Sequence, residues 1–248
     1  MTKKIITKKK FLELNSRSAN QMSKDKKLFK NKINVLSHAD KYRWIHQSSW
    51  LGEPLLNLPQ DMFAIQEIIW RSKPEYIIEI GVAWGGSLLF QAMLMDYIGG
   101  KKIIGIDIYI PNDLKKRIYS HKKLKNKIEL IEGSSIENET VKKVEKIIKG
   151  SKKTMVILDS HHTEDHVLKE LDIYSKFVKK SNYLICGDTI IDFIPEQKHR
   201  PRPWGPKNNP HTALKKFLKK EKRFKPDKNL ENKLLFTCNP DGYLVANK

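Results

Sequence analysis

Tyr76-Ile77-Ile78-Glu79-Ile80-Gly81-Val82-Ala83-Trp84-Gly85-Gly86-Ser87 is the stretch on which the fold turns. A β-branched run, a turn carrying glycines and the helix-forming segment Ser87–Tyr97 predict a strand, a tight turn and a helix. Upstream, Met62, Ile65, Ile68 and Ile69 make a helical stripe over 60–72 that stops before Lys73-Pro74. Downstream, strands are predicted at 102–107, 128–131, 154–159 and 183–188. A polar helix is expected after 107, and further helices at 136–149 and 164–178, the former with Val141, Val144, Ile147 and Ile148 on one face. This alternation predicts parallel β-α-β units in an α/β, Rossmann-like doubly wound sheet. At the end of the chain, Lys233–Cys238 and Tyr243–Val245 flank Asn239-Pro240-Asp241-Gly242, which predicts an antiparallel hairpin.

The chain has 248 residues and a net charge of +20. Residues 1–30 hold ten basic residues against two acids, and 215–228 hold eight against two. The charge therefore reads as two basic appendages on a near-ordinary body, which argues against a protein that is basic all round. Residues 1–40 are expected to form a basic arm, mobile or weakly helical, and 41–248 one Rossmann-like domain. The aromatics Tyr42, Trp44 and Trp50 either pack onto that domain or floor a ligand pocket. No apolar run reaches the roughly 20 residues a membrane span needs. Lys3, Lys4 and Lys8–Lys10 enclose only Ile5 and Ile6, too little for a signal-peptide core. Cys186 and Cys238 lie in apolar stretches and read as reduced thiols of a cytoplasmic protein.

Ligands of open parallel sheets bind beyond the carboxyl ends of the strands, which shortens the search for a site. The turn after 76–80 has the spacing G-x-x-x-G-G-S, not the dinucleotide pattern G-x-G-x-x-G. It suits a smaller group such as a carboxylate at Gly81, Gly85, Gly86 and Ser87, with Glu79 available for an ammonium or hydroxyl. The same glycines read equally well as packing features. Asp107 ends its strand where an acid commonly accepts ribose hydroxyls. Gly133, Ser134 and Ser135 leave room for a flat ring, or cap the next helix. Asp159 and Asp188 end adjacent strands near His162 and suit a hard cation, or act as caps. His162 is the candidate general base and His166 reads as a helix-face residue.

These motifs, in this order, resemble the cephalosporin hydroxylase / rhamnosyl O-methyltransferase family, which has the class I S-adenosylmethionine-dependent methyltransferase fold. The resemblance runs from about Trp44 to Val245. It rests on Lys73-Pro74 through Ser87, Gly105-Ile106-Asp107, Ile131-Glu132-Gly133-Ser134-Ser135 and Leu158-Asp159-Ser160-x-His162. It continues in His166-Val167, Glu170-Leu171, Asp188-Thr189, Gly205-Pro206-x-Asn208-Asn209-Pro210 and Asn232–Leu235, closing with Asn239–Leu244. It implies an O-methyltransferase acting on a sugar hydroxyl of a glycan, glycolipid or secondary metabolite. S-Adenosylmethionine would be held through its methionine portion by Glu79, Gly81, Gly85, Gly86 and Ser87, its ribose by Asp107 and its adenine side by Gly133, Ser134 and Ser135. Some family members resemble magnesium enzymes with an aspartate after one strand and a Glu-Asp pair after the next. Asp159 and Asp188 match the outer two acids, but Gly187 stands where the glutamate would be, so Mg²⁺ is left open here.

The alternatives are a non-methylating member of the family and a basic nucleic-acid-binding or nucleic-acid-modifying protein. Few stacking aromatics interleave with the lysines, which disfavours nucleic acid. The basic segments 1–30 and 215–228 suit peripheral contact with an anionic membrane or an acidic glycan. The loop 192–212, with Arg200, Arg202 and Trp204, is expected to cover the pocket mouth and to suit a sugar or acidic acceptor, or to be an ordinary surface loop. Self-association is left open.

Overall fold

The computed structural model describes residues 6–247; residues 1–5, with Lys3, Lys4 and Ile5 of the basic arm, and residue 248 lie outside the described residues. The chain begins with α1 (Lys8–Met22) and α2 (Lys26–Asp40), then a small antiparallel pair, β1 (Ser48–Trp50) and β2 (Glu53–Leu55). Next come α3 (Pro59–Ser72), β3 (Tyr76–Ile80), α4 (Gly86–Tyr97), β4 (Lys102–Asp107), α5 (Asn112–Ser120) and β5 (Ile128–Glu132). The second half follows with α6 (Asn138–Ile148), β6 (Thr154–Leu158), α7 (Glu164–Tyr174) and β7 (Tyr183–Cys186). It closes with α8 (Pro210–Lys220), β8 (Phe224–Pro226), α9 (Lys228–Glu231) and β9 (Tyr243–Ala246).

The main sheet has the order β5-β4-β3-β6-β7-β9-β8. Its first five strands are parallel, and β9 runs antiparallel to both β7 and β8. The expected doubly wound α/β sheet with a C-terminal antiparallel element is therefore present. Every residue of β3, β6 and β7 is buried, as strands covered on both faces require. On one face Ile77 and Ile103 pack with Ile65, Ile68, Leu88 and Met95. On the other, Ile78 and Val156 pack with Val144, Leu171 and Phe217. Each such aliphatic side chain contributes about 1.5–3 kcal/mol by leaving water.

The C-terminal hairpin differs from the sequence expectation. The partner of β9 is Phe224–Pro226, and residues 233–238 form no strand. Two of their amides are taken by α3, with Phe236 N donating to Gln60 Oε1 at 2.7 Å and Cys238 N to Asp61 Oδ2 at 2.8 Å, while Lys233 and Leu234 donate to the carbonyls of Leu230 and Glu231. Side-chain acceptors thus replace a ladder that the residue pattern alone suggests.

The two basic segments also separate. Residues 215–228 are no appendage, because Ala213, Leu214 and Phe217 bury α8 in the core. Lys215 pairs with Asp192 at 3.0 Å, Lys220 with Asp172 at 2.6 Å, and Lys216 with Glu164. By contrast α1 buries none of its residues. Within the expected mobile or weakly helical arm, α2 is docked, with Ile33 and Leu36 packing in one cluster with Leu58, Ile190 and Cys238.

Candidate functional site

The chain order of the sheet reverses between β3 and β6, and at such a switch point the loops diverge and leave a crevice. There the carboxyl ends of β3 to β7 open into one cleft of about 790 Å³. Gly81 lines it with φ +98°, and a Cβ there would fall 1.9 Å from the Asp159 carbonyl oxygen. The loop after β3 is held by Asp107, whose Oδ2 accepts Val82 N at 2.8 Å and Ala83 N at 3.2 Å. Asp107 Oδ1 accepts Tyr109 N at 3.3 Å, and the carboxylate lies in the cleft wall. Trp84, 53% exposed, and Ile108, 72% exposed, flank this end with apolar surface, and neither was picked out by sequence reasoning. Gly133, Ser134 and Ser135 complete it beyond β5.

The glycine turn divides by role. Gly81 and Ser87 line the cleft, but Gly85 and Gly86 do not. A Cβ on Gly85 would meet Ile118 Cδ1 at 2.5 Å, and one on Gly86 the Pro54 carbonyl oxygen at 2.4 Å. These two glycines admit protein neighbours, which is the packing reading of the turn. Glu79 is also behind the wall, with Gln91 Nε2 donating to its Oε1 at 3.0 Å while Oε2 is buried without a partner. Burial raises its carboxyl pKa to about 7, against the opposing hydrogen bond of Gln91.

Ser135 has its hydroxyl committed elsewhere. It donates to Glu170 Oε1 at 2.5 Å, and Ser160 Oγ donates to the same oxygen at 2.7 Å. His166 Nε2 lies 3.0 Å from it. Glu170 is fully buried and ties the ends of β5 and β6 to α7. Sequence reasoning missed this hub, although the i, i+4 spacing of His166 and Glu170 on a helix is a signal that could have found it.

At the other end of the cleft, Asp159, Asp188 and His162 present ligand atoms within 4.8 Å of one another. Burial, then the charges of Asp188, Glu79 and Asp61, holds the Asp159 carboxyl well above the usual carboxylate range. Burial pushes the His162 imidazole down, against the pull of Asp188, whose Oδ2 is 3.5 Å from His162 Nε2. Asp188 is a non-glycine residue at φ +51°, a conformation costing about 1–3 kcal/mol, which its surroundings must hold in place. Its amide donates to Asn239 Oδ1 at 3.0 Å, Asn239 Nδ2 donates to Tyr243 Oη at 3.2 Å, and Tyr243 Oη donates to Asp61 Oδ1 at 2.7 Å. The C-terminal Asn-Pro-Asp-Gly segment therefore aims a strand-end acid.

The loop between β7 and α8 covers this end. The Trp204 and His162 rings meet edge to face, with centroids 4.8 Å apart, and Arg202 lies over Trp204 at 5.5 Å. Arg200 grips Asp40 of α2 through Nε to Oδ2 at 3.1 Å and Nη2 to Oδ1 at 2.6 Å, and His199 adds a contact at 2.7 Å. Asp40 accepts from both His199 and Arg200, so removing it releases the loop from α2. Asp40→Ala is expected to raise amide exchange in residues 194–204 at least tenfold; unchanged exchange there would show that the clasp does not hold the loop.

A family model described as "Rhamnosyl O-methyltransferase/CmcI" matches residues 42–247. The chain belongs to this family. The rhamnosyl O-methyltransferase of Mycobacterium tuberculosis H37Rv is 26% identical over 204 residues, covering 81% of this chain and 79% of that protein. That of Mycobacterium leprae is 28% identical over 208 residues, covering 80% and 82%. Among solved structures, an apo form of CmcI aligns with a TM-score of 0.56 at 19% identity, covering 82% of this chain and 77% of that one. A form of CmcI described with Mg and SAM gives 0.55 at 18%, covering 82% and 78%. At those identities the structural likeness speaks for the fold. Helix α2 and its Asp40 precede the family segment, although Leu36 and Asp40 line the cleft.

Proposed function

We propose that this family member is an S-adenosylmethionine-dependent O-methyltransferase acting on a sugar hydroxyl. The observation that carries the reading is one cleft at the switch point with a close-approach glycine, a strand-end acid and apolar flanks at one end, and two acids with an imidazole at the other. The residues fit S-adenosylmethionine. Gly81 lets the backbone approach the methionine portion, Asp107 accepts the ribose hydroxyls, and Ile108 and Trp84 offer faces to the adenine beside Gly133 and Ser134. Held by these residues, S-adenosylmethionine would supply a sulfonium methyl group for an acceptor oxygen, with S-adenosylhomocysteine as the leaving group.

The protein's own work is chiefly alignment, which lowers the barrier by prepaying orientation entropy. Trp204 and Arg202 seat the sugar, and the loop held by Asp40 keeps water from the reacting oxygen. Asp159 and His162 are the groups beside that oxygen able to receive its proton. Asp159 and Asp188 also fit a divalent cation, which would lower the pKa of the hydroxyl. Calorimetry tests the cofactor reading: S-adenosylmethionine and S-adenosylhomocysteine are expected to bind and NAD⁺ is not. Binding of NAD⁺ alone would overturn it.

Among the described residues, no helix is long and apolar enough to cross a membrane. Helix α1, with Lys8, Lys9, Lys10 and Arg17 beside exposed Phe11, Leu12 and Leu14, supports peripheral contact with an anionic membrane surface. Deleting residues 1–24 is expected to weaken sedimentation with phosphatidylglycerol vesicles at least tenfold and to leave cofactor affinity unchanged. Equal sedimentation of the two forms would refute this contact.

A further inference from the structure

We infer that His162 takes the coordination position that Gly187 leaves without a side chain, so that Asp159, Asp188 and His162 select a first-row transition-metal ion, probed here as Mn²⁺, over Mg²⁺. The inference rests on the proposed cation at the acceptor end and adds the identity of its ligands and of the ion. The three donor atoms lie within 4.8 Å of one another, with His162 Nε2 and Asp188 Oδ2 3.5 Å apart. An ion about 2.0–2.2 Å from each donor brings any two of them to within roughly 4.4 Å, so small rotations complete the site.

Position 187 is closed to a third acid. A Cβ on Gly187 would fall 2.8 Å from the Leu158 carbonyl oxygen and 3.0 Å from Asp159 Oδ1. A glutamate there would press on the very carboxylate with which it would have to share the ion. His162 enters from the other strand end instead. Its ring is held by the edge contact with Trp204, at 4.8 Å between centroids and 87° between planes, and its side chain is only 15% exposed. Such support fixes a ligand's orientation before the ion arrives.

The donor chemistry then sets the preference. Mg²⁺ is a hard ion that favours oxygen, keeps its waters and gains little from an imidazole. First-row transition metals bind imidazole well, and Mn²⁺ also accepts carboxylate and water at the remaining octahedral positions. Exchanging one carboxylate for a neutral imidazole also lowers the negative charge of the site, which weakens Mg²⁺ most because its binding there is chiefly electrostatic. A nitrogen spent on the ion is not free to take a proton, so the ligand and base roles of His162 predict different results.

The test uses the full chain freed of metal with a chelator and titrated separately with Mn²⁺ and Mg²⁺. Mn²⁺ is expected to bind at least about 100-fold more tightly, and pulsed electron paramagnetic resonance of the Mn²⁺ form to show coupling to a directly bound imidazole nitrogen. His162→Ala should remove the nitrogen coupling and cost at least tenfold in Mn²⁺ affinity. His162→Asp, which restores three carboxylates without a side chain at 187, should bring the Mn²⁺ and Mg²⁺ affinities together. Equal affinities in the unaltered protein, a missing nitrogen coupling, or Mn²⁺ affinity untouched by His162→Ala would overturn the assignment. S-Adenosylmethionine affinity measured in metal-free buffer on the same samples separates that failure from a failure of the methyltransferase reading.

Discussion

Gly81→Ala is expected to destabilise the protein by more than about 4 kcal/mol, a large part of the roughly 5–15 kcal/mol that holds a domain folded. The added Cβ would lie 1.9 Å from the Asp159 carbonyl oxygen, 2.6 Å from its carbon and 3.2 Å from Ser160 Cα. All three are backbone atoms at the end of β6, so relief requires parting β3 from β6 where they meet. Gly99→Ala is the control: its φ is +74°, but nothing lies within 4 Å of the new Cβ. That variant carries the backbone strain alone and should lose about 1 kcal/mol. Urea denaturation of the two checks the account, and similar losses would show that the close approach at Gly81 costs nothing beyond its φ.

Asp107→Ala should lower S-adenosylmethionine affinity at least 100-fold while leaving the main sheet folded. The carboxylate accepts three backbone amides, from Val82, Ala83 and Tyr109. Two of the three are exposed to water and add little to global stability, so the carboxylate acts on the shape of the loop more than on the fold. Losing them frees the loop that carries Gly81 and Trp84, and the same change deletes the proposed ribose acceptor. Asp107→Asn keeps the size and one acceptor oxygen, so it should lose less. Calorimetry decides it; an alanine variant within threefold of the unaltered protein would move the cofactor away from β4.

The parallel sheet was legible because its strands are short apolar runs, richest in β-branched residues at β3, β4 and β6, set between polar helical segments. The strand-end acids Asp107, Asp159 and Asp188 were legible for the same reason, since the position of a strand's end dictates where its last side chain lies. Which glycines face the cleft was not legible. That depends on Ile118 and on the Pro54 carbonyl, distant in sequence, occupying the space beside Gly85 and Gly86. The strand expected at 233–238 failed because Gln60 and Asp61 supply acceptors that local pattern does not reveal. Helix α2 looked like part of a lysine-rich arm, since its two buried aliphatics, Ile33 and Leu36, are sparse among charged neighbours. Its Asp40 gains meaning only from Arg200, 160 residues away.

The most direct test of the central claim is methyl transfer itself. The protein is incubated with S-adenosylmethionine carrying a deuterated methyl group and with carbohydrate and glycolipid fractions from cells that lack it, and the sugars are then read by mass spectrometry. A deuterated methyl ether on a sugar hydroxyl, formed together with one S-adenosylhomocysteine for each methyl transferred, is the predicted result. Cofactor-loaded protein that leaves every sugar unlabelled, or that places the methyl on something other than a sugar oxygen, would contradict it.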